Sequence, residues 1–224
     1  MQAEMRQAET QKLKTCVILL GGDATVTPRL LAQCNRASIV LAADSGIRHA
    51  KPLELHVDLW LGDFDSTTPA LDRVHTDVPR KTFPRAKDKT DGELAIDEAI
   101  ARGASVFILV GSFGGERTDH ALLHTFQAFA LARRGFDVTM TSGVEEATPV
   151  LAGLPRSFDL TPGTLFSLVG FGAMEGVTIT GARWPLKDML VPAGSSLTLS
   201  NIALGPVEVV LCEGEGLFIS GSSA

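Results

Sequence analysis

The stretch Asp58-Leu59-Trp60-Leu61-Gly62-Asp63-Phe64-Asp65-Ser66 is the most informative part of this chain. Its apolar run is typical of a buried strand, and Gly62 is typical of the bend that ends one. Asp63 and Asp65 would then lie just past the carboxyl end of the strand, where open α/β sheets bind their ligands. Two carboxylates this close repel each other unless a cation or a proton separates them. The pattern therefore predicts a hard divalent ion, most simply Mg2+ holding a phosphorylated substrate.

Strand-like and helix-like segments alternate up to about residue 142, which predicts a Rossmann-like parallel sheet with helices on both faces. The predicted strands are Cys16–Leu20, Ser38–Ala42, Val57–Leu61, Val106–Val110 and Asp137–Met140. The predicted helices are Arg29–Cys34, Asp91–Arg102 and Asp119–Arg134.

The remainder of the chain has a different pattern, with half of the 22 glycines and no helical periodicity. Evenly spaced β-rich runs predict a small β-sandwich. These runs are Leu165–Val169, Gly176–Thr180, Ser196–Leu199, Val207–Leu211 and Leu217–Ile219. We therefore expect an α/β domain over residues 1–144 and an all-β domain over residues 145–224.

Composition narrows the class of protein. A chain of 224 residues with 45% hydrophobic residues can bury a large core, and a net charge of −6 argues against a broad nucleic-acid surface. Three unclustered cysteines, Cys16, Cys34 and Cys212, fit a reducing compartment better than a disulfide framework. The first 14 residues are polar, and no segment has the apolar length of a membrane span. We expect a cytoplasmic protein that binds neither nucleic acid nor membrane.

Four acidic motifs fall at predicted strand ends or helix starts. They are Asp44-Ser45-Gly46, the Asp63/Asp65 pair, Lys87-Asp88-Lys89-Thr90-Asp91 and Asp119-His120. Each has an ordinary structural explanation: Asp before Ser-Gly is a common turn, Thr90 and Glu93 fit a capping box, and Thr118 or Asp119 fits an N-cap. Their shared position at the carboxyl edge of a sheet favours a common site.

Basic and glycine-rich segments surround these acids. Five basic residues precede Asp91 within ten positions, namely Arg80, Lys81, Arg85, Lys87 and Lys89. Such a run is usually solvated, but it would also suit a clamp for a polyphosphate. Gly111-Ser112-Phe113-Gly114-Gly115 follows a predicted strand, and its backbone N–H groups could approach a phosphate, although it is neither a Walker A nor a dinucleotide motif. On the following helix we expect His120 near a nucleotide and His124 in packing.

Together these residues resemble the thiamine pyrophosphokinase family, along essentially the whole chain. The strongest element is Gly62-Asp63-Phe64-Asp65-Ser66. Further elements follow in order: Asp44-x-Gly46, Asp88-x-Thr90-Asp91, the Gly114-Gly115 loop with Arg117 and Asp119-His120, and a β-rich C-terminal part.

The resemblance implies transfer of pyrophosphate from ATP to the hydroxyethyl group of thiamine, which gives thiamine diphosphate and AMP. It implies Mg2+ bound by Asp63, Asp65 and Asp91, with Asp88 in the same acidic site as a ligand or a base. It also implies an ATP-binding set, made of Asp44, Lys87, Thr90, Gly114, Gly115, Arg117, Asp119 and His120.

The resemblance further implies a homodimer, with sites between the α/β domain of one subunit and the β domain of the other. Trp184 resembles the aromatic residue that packs on thiamine, and Ser200 and Asn201 resemble the polar pair beside it. A cationic thiazolium against an indole is physically reasonable, while the competing interpretation of Trp184 is a core residue of the sandwich.

Two departures from the family pattern bear on the nucleotide. The family usually has two glycines, an alanine and an asparagine after the first aspartate, whereas this chain has Ser45, Gly46, Ile47 and Arg48. Glu116 separates Gly115 from Arg117, where the family usually runs from glycine straight to arginine.

Two other functions stay open from the residues alone. A Mg2+-dependent phosphohydrolase would use the same acids on water, and a non-catalytic binding protein would keep the ligands without turnover.

Overall fold

The N-terminal half of the molecule is built on parallel strands. The computed structural model describes residues 13–64, 69–84 and 88–221. Within them the parallel strands are β1 (Thr15–Leu19), β2 (Ile39–Ala43), β3 (Leu59–Gly62), β4 (Arg80–Thr82), β5 (Val106–Val110) and β6 (Asp137–Thr141). Their order across the sheet is β4-β3-β2-β1-β5-β6, so the direction of winding reverses between β1 and β5. Open α/β sheets form a ligand crevice at such a reversal.

Helices cover both faces of these strands, as the alternation predicted. They are α1 (Pro28–Cys34), the 3-10 helix Asp44–His49, α2 (Pro69–Val74), α3 (Asp91–Ala101) and α4 (Thr118–Arg133). Alternate residues of β1 point to opposite faces. Cys16 and Ile18 pack with α3 and α4, whereas Val17 and Leu19 pack with α1 and the 3-10 helix.

The C-terminal part is β-rich and antiparallel. Its strands are β7 (Glu145–Leu151), β8 (Arg156–Phe158), β9 (Leu165–Gly170), β10 (Met174–Ala182), β11 (Leu186–Val191), β12 (Asn201–Val210) and β13 (Glu215–Gly221). They extend the sheet in the order β6-β7-β13-β9-β12-β10-β11, and β8 pairs with β12. Buried side chains from β9, β10, β12 and β13 share one apolar cluster. Because β7 pairs with β6, the sheet continues across the predicted boundary at residue 144.

One predicted strand is wrong. Residues 196–199 form turns, and β12 begins at Asn201. Polar and apolar residues do alternate in this segment, but the apolar ones, Leu197 and Leu199, are exposed. Only Thr198 is buried in that segment, where its hydroxyl donates to the carbonyl of Leu168 at 2.6 Å.

Among the residues that the structure describes, no helix is both long enough and apolar enough to cross a bilayer.

Candidate active site

Three carboxylates converge at the carboxyl ends of β2 and β3. Asp44 begins the 3-10 helix after β2, Asp63 follows β3, and Asp91 is the first residue of α3. One oxygen from each lies within 4.8 Å of the other two, and all three side chains are partly buried. Mg2+ holds oxygens at about 2.1 Å in octahedral geometry, which puts neighbouring ligands about 3 Å apart and opposite ones about 4.2 Å apart. The limit of 4.8 Å is slightly above the largest of these separations, so the cluster is about the size that can hold such an ion.

The composition of this cluster only partly follows the sequence-based expectation. Asp63 and Asp91, both predicted metal ligands, lie in it, but the third member is Asp44, which the resemblance places among the ATP-binding residues. Asp65, the other predicted ligand, lies outside the described residues. Asp88 is exposed and is not part of the cluster.

Local backbone geometry fixes Asp44. It has a positive φ of 45°, which non-glycine residues adopt only when their surroundings hold them there. The buried indole of Trp60 donates from Nε1 to the Asp44 carbonyl at 2.7 Å. Two residues further on, a Cβ on Gly46 would lie 2.1 Å from the Leu19 carbonyl oxygen. Gly46 is thus required for the 3-10 helix to pack on β1, so this motif does more than form an ordinary turn.

Asp91 has a fixed position because a capping box starts α3. The Thr90 hydroxyl accepts from the Glu93 backbone N–H at 3.3 Å, and the Glu93 carboxylate accepts from the Thr90 backbone N–H at 2.8 Å. The capping interpretation of this segment is correct, and Thr90 also lines the cavity beside Asp91. A capping role and a place in the site are therefore compatible.

Two adjoining cavities open beside the carboxylates. One of about 250 Å³ is lined by Asp44, Thr90 and Asp91, and one of about 490 Å³ extends along the loop that follows β5. Both are bordered by Gly21, Asp44, Ser45, His120 and His124. The larger one is also bordered by predicted ATP-binding residues, namely Gly114, Gly115 and Arg117. Together they are large enough for a nucleotide.

The floor of the larger cavity consists of two glycine loops in contact. Gly22, after β1, donates its N–H to the Gly111 carbonyl at 2.9 Å. A Cβ on Gly22 would lie 2.4 Å from that carbonyl oxygen. Gly114 and Gly115 both have positive φ, which favours glycine. The sequence pointed to the second loop. The first was missed, although Gly21-Gly22 follows an apolar strand in the same way.

Arg117 and Asp119 form a bidentate ion pair at the mouth of this cavity. Nε of Arg117 donates to Oδ1 of Asp119 at 3.0 Å, and Nη2 donates to Oδ2 at 2.8 Å. The hydrogen bond from Arg117 lowers the pKa of Asp119 and raises that of Arg117. The residue that caps α4 is Arg117, so neither Thr118 nor Asp119 is the N-cap.

Two buried histidines lie near the cavities: His124 lines both of them, and His49 contacts the loop after β1. His124 is buried, with Nδ1 at 3.3 Å from the Ser112 carbonyl, which agrees with the expected packing role. His49, not anticipated from the sequence, is also buried, with Nε2 at 2.9 Å from the Gly22 carbonyl. Burial lowers the pKa of both imidazoles, so both are neutral at pH 7.

The basic run before Asp91 contributes to the fold. Arg80 pairs with Asp72 at 2.9 Å and lies over the Trp60 ring, Lys81 pairs with Glu98 at 2.9 Å, and Lys89 pairs with Asp97. These three side chains pair within the protein here, and their role in a polyphosphate clamp stays a prediction. Arg85 and Lys87 lie outside the described residues.

The predicted thiamine-binding residues come together at the start of β11 and β12. Trp184 is 54% exposed, which excludes the core interpretation. Asn201 is buried, and its side-chain amide accepts from the Trp184 N–H at 3.2 Å and donates to the Trp184 carbonyl at 2.8 Å. Ser200 has a positive φ of 56°, and its N–H donates to the Ser167 hydroxyl. Asn201 thus positions the backbone that presents the indole.

Sequence comparison gives two adjacent family matches. Residues 31–140 match the family described as "Thiamin pyrophosphokinase, catalytic domain", and residues 154–214 match "Thiamin pyrophosphokinase, vitamin B1 binding domain". A thiamine pyrophosphokinase of Bacillus subtilis is 24% identical over 195 residues, which cover 84% of this chain and 89% of the relative.

Solved structures match the whole architecture. The crystal structure of thiamine pyrophosphokinase from Bacillus subtilis superimposes with a TM-score of 0.81 at 21% identity, covering 94% of this chain and all of the other. The thiamin pyrophosphokinase structure from Geobacillus thermodenitrificans gives 0.77 at 22% identity, covering 95% and 99%. The yeast enzyme gives 0.70 at 11% identity, covering 98% and 89%.

Proposed function

Because the chain belongs to the thiamin pyrophosphokinase family, and its activity is that of an ATP-dependent thiamine diphosphokinase, we propose that ATP binds in the adjoining cavities beside Asp44, Asp63 and Asp91. The observation that carries the proposal is the convergence of these carboxylates next to the two glycine loops. Transfer of a phosphate-containing group requires acidic metal ligands next to backbone N–H groups that bind phosphate.

The three carboxylates would hold Mg2+. Their spacing fits, and partial burial strengthens their attraction for a cation. When bound, the ion would neutralise the negative charge of the triphosphate. We keep Asp65 in the proposed ligand set and Asp88 as a proposed base or outer ligand, on the family pattern alone.

The glycine loops, Arg117, Asp119 and His120 would hold the nucleotide, with Thr90 and Lys87 near its phosphates. In the transfer, the hydroxyl oxygen of thiamine bonds to the β-phosphorus as its proton is lost. The bond from the β-phosphorus to the oxygen that bridges it to the α-phosphorus breaks, and AMP leaves with that electron pair. The chain would contribute mainly orientation, and the contacts of His49 and His124 with backbone carbonyls would help to fix the loops that bind the nucleotide.

Thiamine would bind against Trp184, in a homodimer whose sites combine the α/β domain of one subunit (1–144) with the β-sandwich domain of the other (145–224). A set of exposed large apolar side chains on or next to β9, β11 and β12 supports this proposal, because exposed apolar residues are common at interfaces. Its members are Leu165, Trp184, Met189, Leu190, Leu197, Leu199 and Leu204. A cytoplasmic location stays a prediction.

Product analysis tests the function. The purified protein is incubated with Mg2+ and ATP, with and without thiamine, and nucleotides and thiamine esters are quantified. We expect AMP and thiamine diphosphate in equal amounts, and only with thiamine. Phosphate or ADP released without thiamine would indicate a phosphohydrolase, and binding of thiamine without any product would indicate a non-catalytic protein.

A further inference from the structure

Arg48, near the end of the 3-10 helix, contacts the loop after β1. Its Nη2 donates to the carbonyl of Gly21 at 2.7 Å and to that of Gly22 at 2.8 Å. Hydrogen bonds from a charged donor are about twice as strong as those between neutral groups. Next to it, the Nε2 of His49 lies 2.9 Å from the Gly22 carbonyl, so side chains from the end of the 3-10 helix contact both carbonyls of the loop.

Gly22 lies too close to the glycine loop after β5 to carry a side chain. A Cβ on Gly22 would meet the carbonyl oxygens of Gly111 at 2.4 Å and Phe113 at 2.7 Å. The two backbones therefore approach closely at Gly22, and the carbonyls of Gly21 and Gly22 accept from Arg48. Without a positive donor these oxygens would add negative potential beside the larger cavity.

One short helix therefore connects two parts of the site. Its first residue, Asp44, belongs to the carboxylate cluster, and Arg48 and His49 at its other end hold the loop that borders both cavities. We propose that Arg48 is a positioning residue for the nucleotide: it holds the Gly21–Gly22 loop, and thereby sets the affinity for the phosphates of ATP. The inference rests on the proposed nucleotide site.

The test compares Arg48→Gln and Arg48→Lys with Arg156→Gln. Arg156 is a matched control because its side chain is 34% exposed, against 36% for Arg48, and pairs with Asp137 at the opposite, amino end of β6. Affinity for a non-hydrolysable ATP analogue with Mg2+ is measured by calorimetry, alongside KM, kcat and the exchange rate of the Gly22 amide hydrogen.

For Arg48→Gln we expect binding of the analogue to weaken on the order of tenfold, as for a lost charged hydrogen bond. KM for thiamine and the melting temperature should hardly change. The Gly22 N–H, which bonds to Gly111, should exchange faster. Arg48→Lys should recover only part of the affinity, because an ammonium lacks the planar guanidinium that bridges the two carbonyls. Arg156→Gln should bind the analogue as the wild type does.

The inference is overturned by unchanged affinity in Arg48→Gln, or by equal losses for ATP and thiamine together with a lower melting temperature. Full recovery in Arg48→Lys would also overturn it, since charge alone would then suffice. A wild-type protein that binds the analogue but makes no AMP with thiamine would contradict the proposed function and leave this inference standing. A wild-type protein that binds no nucleotide would overturn both.

Discussion

The indole nitrogen of Trp60 donates a 2.7 Å hydrogen bond to the backbone carbonyl of Asp44. Trp60 is fully buried in β3, and Asp44 presents its carboxylate to the metal-sized cluster from a backbone with positive φ. A core residue of one strand thus holds a residue of the carboxylate cluster that follows the neighbouring strand. The packing of Trp60 in the core and the placement of Asp44 in the carboxylate cluster are therefore coupled.

Trp60→Phe should affect both the stability of the fold and the dependence of turnover on Mg2+. Loss of the hydrogen bond and of part of the ring should lower the free energy of unfolding by about 1–3 kcal/mol. The Mg2+ concentration for half-maximal turnover should also rise, since Asp44 is less well held. Urea unfolding measures the free energy of unfolding, and titration of turnover with Mg2+ measures the Mg2+ dependence. Trp184→Phe, at the exposed tryptophan, should change stability by less than about 0.5 kcal/mol. Unchanged Mg2+ dependence in Trp60→Phe would contradict the coupling.

Asp63→Asn should abolish turnover and leave the fold intact. Removing one of three neighbouring like charges relieves repulsion, so without Mg2+ the variant should melt no lower than the wild type. Added Mg2+ with ATP should raise the melting temperature of the wild type only, because a ligand stabilises the state that binds it. Calorimetric scans check this, with Asp188→Asn as an exposed control. Activity close to the wild-type level would rule out Asp63 as a ligand.

Trp184→Ala should weaken thiamine binding and spare ATP. Because the indole is exposed, stability should change little. Asn201→Ala should produce the same selectivity but also reduce stability by about 1–3 kcal/mol, since its buried amide satisfies the Trp184 backbone. Fluorescence titration with thiamine and calorimetry with the ATP analogue measure the affinity of each variant for the two ligands. Equal losses for both ligands would argue against a thiamine site here.

Stability should fall on acidification through the buried histidines. Burial lowers the folded-state pKa of His49 and His124 below the ordinary value of 6.5. As the pH drops below about 6.5, the unfolded chain takes up protons that the folded protein does not, so the free energy of unfolding decreases. Urea unfolding at pH 8 and pH 5 should show this, and His124→Gln should flatten the dependence. An equally steep dependence in that variant would exclude a contribution from His124.

Gly46→Ala should be strongly destabilising, by about 3 kcal/mol, because its Cβ would lie 2.1 Å from the Leu19 carbonyl. Gly172→Ala is the matched control, because a Cβ there would have no neighbour within 4 Å and the φ of Gly172 is not positive. That variant should stay within about 0.5 kcal/mol of the wild type in thermal unfolding. Similar melting temperatures for the two variants would show that the 3-10 helix can shift away from β1.

The parallel strands β1, β2, β3, β5 and β6 and the helices α1, α3 and α4 were predictable from sequence because each carries an apolar or helical pattern. β4 was not, since Arg80, Lys81 and Thr82 are all exposed on a sheet edge, where charge is favoured and the apolar signal disappears. The role of Asp44 was also hidden. Its place in the carboxylate cluster depends on Trp60 and Gly46 contacting other strands, and such tertiary contacts leave no local pattern.

Electron paramagnetic resonance of Mn2+, used in place of Mg2+ with the ATP analogue, tests the central claim most directly. The wild type, Asp44→Asn, Asp63→Asn and Asp91→Asn are compared with Asp188→Asn. We predict that the wild type and the control bind Mn2+ alike, and that each cluster variant binds it at least about tenfold more weakly, as expected for the loss of a charged ligand. Unaltered Mn2+ binding in the three cluster variants would contradict a metal site at Asp44, Asp63 and Asp91.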